Sequence, residues 1–358
     1  IDAPRLDLRP VPLYEDKDFG YFRTHYYGGV RKYQWVAIPL ALHGTVCRAD
    51  GSCVDINIGE KPGDPVFCIT DLLPHLAAKQ NEKKLPEGIT GENLNVLIAS
   101  TPIEDKEMAD RVKLNVLAIL NEAYGITERD FTRAEIEVVP AFTARDVGLD
   151  RAMIGAYGHD DRVDAYPALM AEIRTEHPAY TTVCVLTDKE EVGSDGVTGM
   201  NGEYAYAFLK ELCAAFGADP IAAFRASRCL SADVTAAYDP SFAEAFEPNN
   251  GTYAGRGIAI YKYTGSRGKS STNDAPAELV SYLTRLLDKN SVAWQIGEMG
   301  KIDLGGGGTI AKYVANRGID TIDIGVPVLS MHSPFEVVSK ADVYMAYLAF
   351  KSFCEDAE

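Results

Sequence analysis

Glu190 and Glu191 stand side by side in TDKEEVGSDG (187–196), directly after the apolar run TTVCVL (181–186). Three other polar islands have the same character. GHDDRVDAYPAL (158–169) carries Asp160 and Asp161 ahead of a helical pattern, SADVTAAYDP (231–240) carries Asp233, and SMHSPFE (330–336) puts His332 just after an apolar run. Singly, each has a structural reading: paired acids cap helices or stay solvated, and a histidine after a strand can be a simple hydrogen-bonder. Together they point to metal chemistry. Carboxylates at the ends of buried strands are costly to desolvate unless a cation or donor meets them. Two divalent ions about 3.5–4 Å apart need one bridging carboxylate and further ligands on each side. Of two adjacent glutamates, one can bind a metal while its neighbour takes a proton from the attacking water.

The elements that must position these residues are legible in outline. TTVCVL and DIGVPVLS (323–330) are continuous apolar runs of the parallel-strand type. EYAYAFLKELCAAFG, APAELVSYLTRLLDKN and KADVYMAYLAFKSF have amphipathic helical spacing and would cover the sheet. In an open α/β sheet, ligands collect outside the carboxyl ends of the strands, and four such ends here carry oxygen or imidazole donors. Between residues 37 and 143 the rhythm is different, with short strands and polar turns (WVAIPLALHGTVC, CVDINIG, NLNVLIAS, AEIEVVPA) around one helix in DKEMADRVKLNVLAILNEAYG. The predicted fold is α/β, a mixed and mostly parallel sheet flanked by helices, with an inserted β-rich domain. Residues 1–36 and 144–358 are assigned to the sheet domain and 37–143 to the insertion.

Composition narrows the function classes. The 358 residues carry a net charge of −17 and are 46% hydrophobic. An acidic surface of this kind argues against nucleic acid or an anionic membrane as partner. No run approaches the ~18–20 apolar residues of a membrane span, and no signal peptide is visible. Seven cysteines make an odd number, scattered and without CxxC spacing, and Cys184 inside its apolar run reads as a reduced, core-filling thiol. The expectation is a soluble cytoplasmic protein.

The blocks HDDRVDAYPAL, DKEEVGSDG, SADVTAAYDP and IGVPVLSMHSPFE, in this order, resemble the motifs of the M18 family of zinc aminopeptidases, the aspartyl aminopeptidase family. IDAPRLDLRP followed by LYED and YYGG matches as well, so the resemblance covers nearly the whole chain. It implies a zinc-peptidase-like fold, two divalent ions per subunit (zinc first, cobalt or manganese as alternatives), and short peptide substrates. It implies Asp160 as the bridging carboxylate, Glu190 as general base, Glu191 and His332 as ligands of one metal, and Asp233 as a ligand of the other. Asp2 fits the acid that orients a ligand histidine in the family pattern. That histidine would be the residue just before Ile1, so the chain looks like one whose upstream part is missing. His159 replaces a residue often apolar in the family, and Asp161 stands where asparagine is common.

Further carry-overs concern substrate. LLPHLAAKQ (72–80) resembles the segment whose histidine, here His75, reaches a neighbouring subunit's active site. GGGGTI (305–310) resembles the substrate loop, with Gly306 and Gly307 offering bare backbone to a peptide. GSRGKSS (265–271) brushes against a P-loop but lacks its first glycine, so nucleotide binding is discounted. Lys269 or Arg267 in this stretch is the family's candidate for pairing with an acidic N-terminal side chain. The insertion would serve assembly into a large hollow homo-oligomer, dodecamer-like, with no nucleic-acid or membrane partner. Two competitors remain: the related M42 aminopeptidases, which share Asp-Asp-Arg and Glu-Glu, and a non-catalytic peptide-binding relative that has lost one metal site. MHSPFE and YYGG favour M18 over the first, and the intact acids speak against the second.

Overall fold

Alternating apolar and polar side chains drive the first part of the chain into paired strands. The computed structural model describes residues 1–356. Strands β1 (Arg5–Asp16), β2 (Phe19–Tyr27), β3 (Leu40–Cys47), β4 (Cys53–Ile58), β5 (Asn95–Ala99) and β6 (Ala134–Pro140) form one sheet in the order β4-β3-β6-β1-β2-β5. Every pairing in it is antiparallel. Two one-turn helices, α1 (Ala78–Asn81) and α2 (Leu85–Gly88), decorate the connections, and α3 (Arg111–Tyr124) buries Val112 and Val116. Gly125 ends α3 with φ 67°, a conformation that suits glycine. These residues make up one compact unit, Pro4–Thr143.

The second unit comprises Ile1–Ala3 and the chain from Ala144 onward. Its elements are β7 (Arg145–Val147), β8 (Met153–Ala156), α4 (His159–Arg174), α5 (Tyr204–Ala215), α6 (Pro220–Ala226), β9 (Arg228–Ala232), β10 (Thr235–Ala236) and β11 (Ile258–Tyr261). They are followed by α7 (Ala277–Lys289), β12 (Trp294–Ile296), α8 (Ala311–Ala315), β13 (Asp320–Gly325), β14 (Pro327–Leu329), β15 (Glu336–Ser339) and α9 (Lys340–Glu355). One sheet runs β10-β14-β15-β8-β7 and another β12-β11-β13-β9. The three expected helices appear as α5, α7 and α9. In α7 the spacing Leu279, Tyr282, Leu283, Leu286, Leu287 places all five side chains in the core. They pack with Ile258, Ile260, Ile322 and Ile324 of the central strands and with Ala346, Ala349 and Phe350 of α9.

Four expectations need correction. The sheets are mixed but not mostly parallel: among the named strands of the described residues, only β9–β13, β11–β12 and β10–β14 pair in parallel. Short reversals such as the turn between β14 and β15 can join only antiparallel neighbours. The run 181–186 takes no strand partner among the described residues, and Val183, Val185 and Leu186 are exposed. An extended, apolar sequence forms a strand only where a neighbour supplies its ladder. Residues 4–36 belong with the β-rich unit rather than with residues 144 onward, because β1 pairs with both β2 and β6. Finally, Cys184 is free but only half buried rather than core filling; Cys47 and Cys53, for which the sequence offered no pairing, face each other across the β3–β4 hairpin and are disulfide-bonded. No helix of the described residues is long and apolar enough to cross a membrane.

Candidate metal centre

Asp160 lies at the start of α4, where Asp160 and Asp161 depart from helical geometry (φ −81°, ψ 106° and φ −123°, ψ 50°). This extended entry lets Asp160 turn inward, and it is 5% exposed. Glu190 and Glu191 open a single 3-10 turn, Glu190–Val192, between left-handed Lys189 (φ 65°) and Gly193 (φ 95°). Lys189 closes the loop through its carbonyl, which accepts Ser194 N at 2.7 Å. Left-handed backbone at a non-glycine residue is unfavourable, and it recurs at His332 (φ 63°) in the turn between β14 and β15. Asp233 occupies the short link from β9 to β10, with its N–H donating to Ile324 O at 3.3 Å. Gly325 beside it admits no side chain, because a Cβ there would come within 1.8 Å of Asp233 O and 2.7 Å of an Asp164 carboxylate oxygen.

These segments, distant in sequence, converge. His332 Nε2 lies 3.0 Å from Asp160 Oδ2 and 3.7 Å from Glu191 Oε2. Asp160, Glu191 and His332 offer ligand atoms within 4.8 Å of one another, and so do Asp160, Asp161 and Asp233. Asp160 is common to both groups. Asp2, 5% exposed, braces the arrangement from two sides: its carboxylate accepts Glu191 N at 3.1 Å and its carbonyl accepts Asp161 N at 3.0 Å.

The electrostatics of this cluster are those of acids crowded out of water. Burial first, then the Asp160 carboxylate, pushes Glu191 up to about 9 and Glu190 up to about 7, with His332 pulling each back. Burial and neighbouring carboxylates hold Asp161 and Asp233 well above the usual carboxylate range. Asp161 Oδ1 is buried with no hydrogen-bond partner among the described residues. A divalent cation placed among such oxygens would favour the ionised forms and satisfy the orphaned atom. Carboxylate and imidazole donors suit zinc. The residues present therefore fit metal binding.

Two residues of the site have no assigned role in the sequence. Asp161 stands in the acid pair with Asp160 but is given no ligand role by the resemblance, yet it joins Asp160 and Asp233. Glu336, four residues after His332, is 1% exposed and accepts two backbone amides: Asp160 N at 3.0 Å on Oε2 and His332 N at 2.7 Å on Oε1. Burial, then Asp160, raises it to about 7. The available signal was a glutamate at the inward-facing first position of an apolar strand.

The substrate candidates lie elsewhere. Lys269 donates to Asp274 Oδ2 at 3.0 Å and lies 3.7 Å from the Tyr263 ring centroid, so its charge is already met. Arg267 is exposed and pairs with no carboxylate among the described residues. Gly306 lies against another backbone, since a Cβ on it would reach 1.9 Å from Gly265 O, whereas Gly307 faces open space. His75 belongs to the other unit and is exposed on the turn Pro74–Leu76.

Comparison with known proteins gives one consistent result. Residues 1–354 match the family described as aminopeptidase I zinc metalloprotease (M18). A probable M18 family aminopeptidase 1 of Clostridium acetobutylicum is 48% identical over 359 residues, covering 99% of this chain and 77% of the relative. Its Thermotoga maritima counterpart is 47% identical, covering 99% and 79%. The crystal structure of the M18 aminopeptidase from Thermotoga maritima superposes with a TM-score of 0.96, 47% identity, and coverage of 99% of this chain and 79% of that one.

Proposed function

The chain belongs to the aminopeptidase I (M18) family of zinc metalloproteases, and on that premise we propose that it is a dinuclear aminopeptidase releasing N-terminal residues from short peptides. The observation that carries this reading is the sharing of Asp160 between two ligand groups, with Glu190 next to the ligand Glu191. Glu191 and His332 complete one position and Asp233, with Asp161, the other.

Cations held by Asp160, Glu191 and His332 and by Asp160, Asp161 and Asp233 would supply Lewis-acid polarisation of the scissile carbonyl and acidify the attacking water. Glu190 would accept a proton from the attacking water as its oxygen bonds to the carbonyl carbon. The C–N bond then breaks, and Glu190 returns the proton to the leaving amine. Glu336 and Asp2 fix the backbone of the ligand-bearing turns, so that few groups need to reorganise as charge develops. Gly307 gives the peptide backbone an unobstructed approach. Where the N-terminal side chain is acidic, Arg267 is the cation available to it, because Lys269 is held by Asp274.

The β-rich unit would serve assembly of a homo-oligomer. Around His75 it exposes Val66, Leu72, Leu73 and Leu76, between 46% and 66% accessible, an apolar surface suited to a subunit contact. The test of the whole reading is hydrolysis of short peptides carrying N-terminal Asp, Glu, Leu or Lys, with an N-acetylated control, before and after chelation and add-back of Zn, Co or Mn. Metal-restored cleavage confined to unblocked N-termini is expected. No cleavage by a protein that still binds metal would leave a peptide-binding scaffold instead.

A further inference from the structure

Asp323 is a carboxylate the proposed chemistry does not use. It projects from β13, is 4% exposed, and takes both of its hydrogen bonds on one oxygen: Oδ1 accepts Ser231 Oγ at 2.8 Å and Thr309 Oγ1 at 2.7 Å. Oδ2 is buried with no partner among the described residues. A buried carboxylate left half-satisfied is costly, and such groups call for an explanation. Its two donors supply one.

Ser231 lies opposite Asp323 in the β9–β13 pairing and precedes Asp233 by two residues. Thr309 ends the four-glycine run 305–308 and leads into α8. Four consecutive glycines have no side chains with which to hold a conformation, and glycine loses the most freedom on ordering. Backbone bonds tether the run in part, Gly305 N donating to Lys301 O at 2.7 Å and Gly307 O accepting Gly265 N at 2.5 Å, while the side-chain face of Gly307 meets nothing. Thr309, 8% exposed, is the first side chain after the run that can fasten it.

We infer that Asp323 is a positioning residue that anchors the open glycine loop and the Asp233-bearing strand end to one buried point, presetting the distance between peptide-binding backbone and metal ligand. This rests on the reading of 305–308 as the substrate loop. With the Thr309 arm of the anchor cut, only the backbone tethers at Gly305 and Gly307 hold the loop and the substrate must supply the remaining order, so binding weakens while the proton-transfer geometry at Glu190 is untouched.

The variants are Thr309→Val, Asp323→Leu and Asp323→Asn in the metal-loaded protein. Asparagine retains the Oδ1 acceptor. Thr309→Val and Asp323→Leu are expected to raise KM for short peptides roughly tenfold, the size of one lost hydrogen bond to a charged acceptor. The kcat of Thr309→Val should stay within about threefold, and Asp323→Asn should restore KM. Amide hydrogen exchange over 305–309 is the second readout, accelerated in the first two variants and normal in the third. Should Asp323→Leu fail to fold, Thr309→Val, a buried near-isostere, still decides. Unchanged KM or unchanged exchange in Thr309→Val would overturn the anchor. If the wild-type protein cleaves no peptide, the aminopeptidase reading falls, and the exchange measurement alone judges Asp323.

Discussion

Glu336 offers the most discriminating perturbation of the metal centre. Its two oxygens accept the backbone amides of Asp160 and His332, at 3.0 and 2.7 Å, and the glutamate itself is 1% exposed. Glu336→Gln keeps the volume but replaces one acceptor with an NH2 that must face a backbone N–H. That removes one charge-assisted hydrogen bond and strands a buried donor, a loss of about 2–3 kcal/mol. Glu336→Ala removes both bonds and should cost about 3–6 kcal/mol. Because the stranded amides belong to two residues of one ligand group, part of the loss must appear as poorer metal binding. Outer partners of ligands typically contribute ten- to a hundredfold in affinity. The assay is zinc competition against a chelator of known affinity, paired with denaturant unfolding of metal-free and metal-loaded protein. Asp342→Asn is the control: Asp342 is also fully buried and also accepts two amides, Gly255 N at 2.6 Å and Gly257 N at 2.8 Å, but it belongs to neither ligand group. It should lose stability with zinc affinity intact. A Glu336→Gln protein with zinc affinity within twofold of wild type, or one that merely parallels Asp342→Asn, refutes the clamp.

Glu190→Gln should lower turnover between about a hundred- and ten-thousandfold with metal content unchanged, whereas Glu191→Gln should lower metal occupancy as well; retained turnover in the first, or full occupancy in the second, sinks the respective role. Asp323 should make stability pH-dependent. Burial raises its carboxyl from 3.8 to about 6, so the folded state favours the protonated form, and that contribution is complete below 3.8 and is lost as pH rises through about 6. The groups that feel its charge are the Cys229 thiol on β9, pushed up to about 12 chiefly by burial, and Asp233. The loss amounts to about 3 kcal/mol, and Asp323→Asn escapes it. The thermal midpoint of Asp323→Asn relative to wild type should therefore climb between pH 4.5 and 7.5, and a constant difference would show that Asp323 does not titrate there.

The candidate ligand groups were legible because their residues carry local signatures: an acid pair before a helix, an acid pair after an apolar run, a histidine after another. Helices α5, α7 and α9 were legible for the same reason, their apolar spacing being a property of single segments. What could not be read was set by pairing. TTVCVL has every attribute of a buried strand, yet its fate depends on whether a neighbour offers a ladder. Residues 4–36 contain two strands whose partners lie in β5 and β6, about a hundred residues downstream, so their unit could not be assigned from the segment alone. Glu336 and Asp323 escaped because their work is to accept hydrogen bonds from distant atoms. A glutamate in a motif and an aspartate in an apolar strand look ordinary until Asp160 N, Thr309 and Ser231 are placed around them.

The convergence of Asp2, Asp160, Glu190, Asp233 and His332 on one centre also fixes when during synthesis the site can exist. The group containing Asp160 and Glu191 is not closed until His332 and its clamp Glu336 have been made, roughly 140 residues after Glu191. A nascent chain that has been made only past Glu191 therefore displays unpaired carboxylates but no assembled centre. Tight metal capture follows β14–β15 hairpin formation, and a product lacking that hairpin would carry its acids without the imidazole that distinguishes zinc from harder ions. The order of the segments along the chain thus ties loading of the centre to the making of that hairpin.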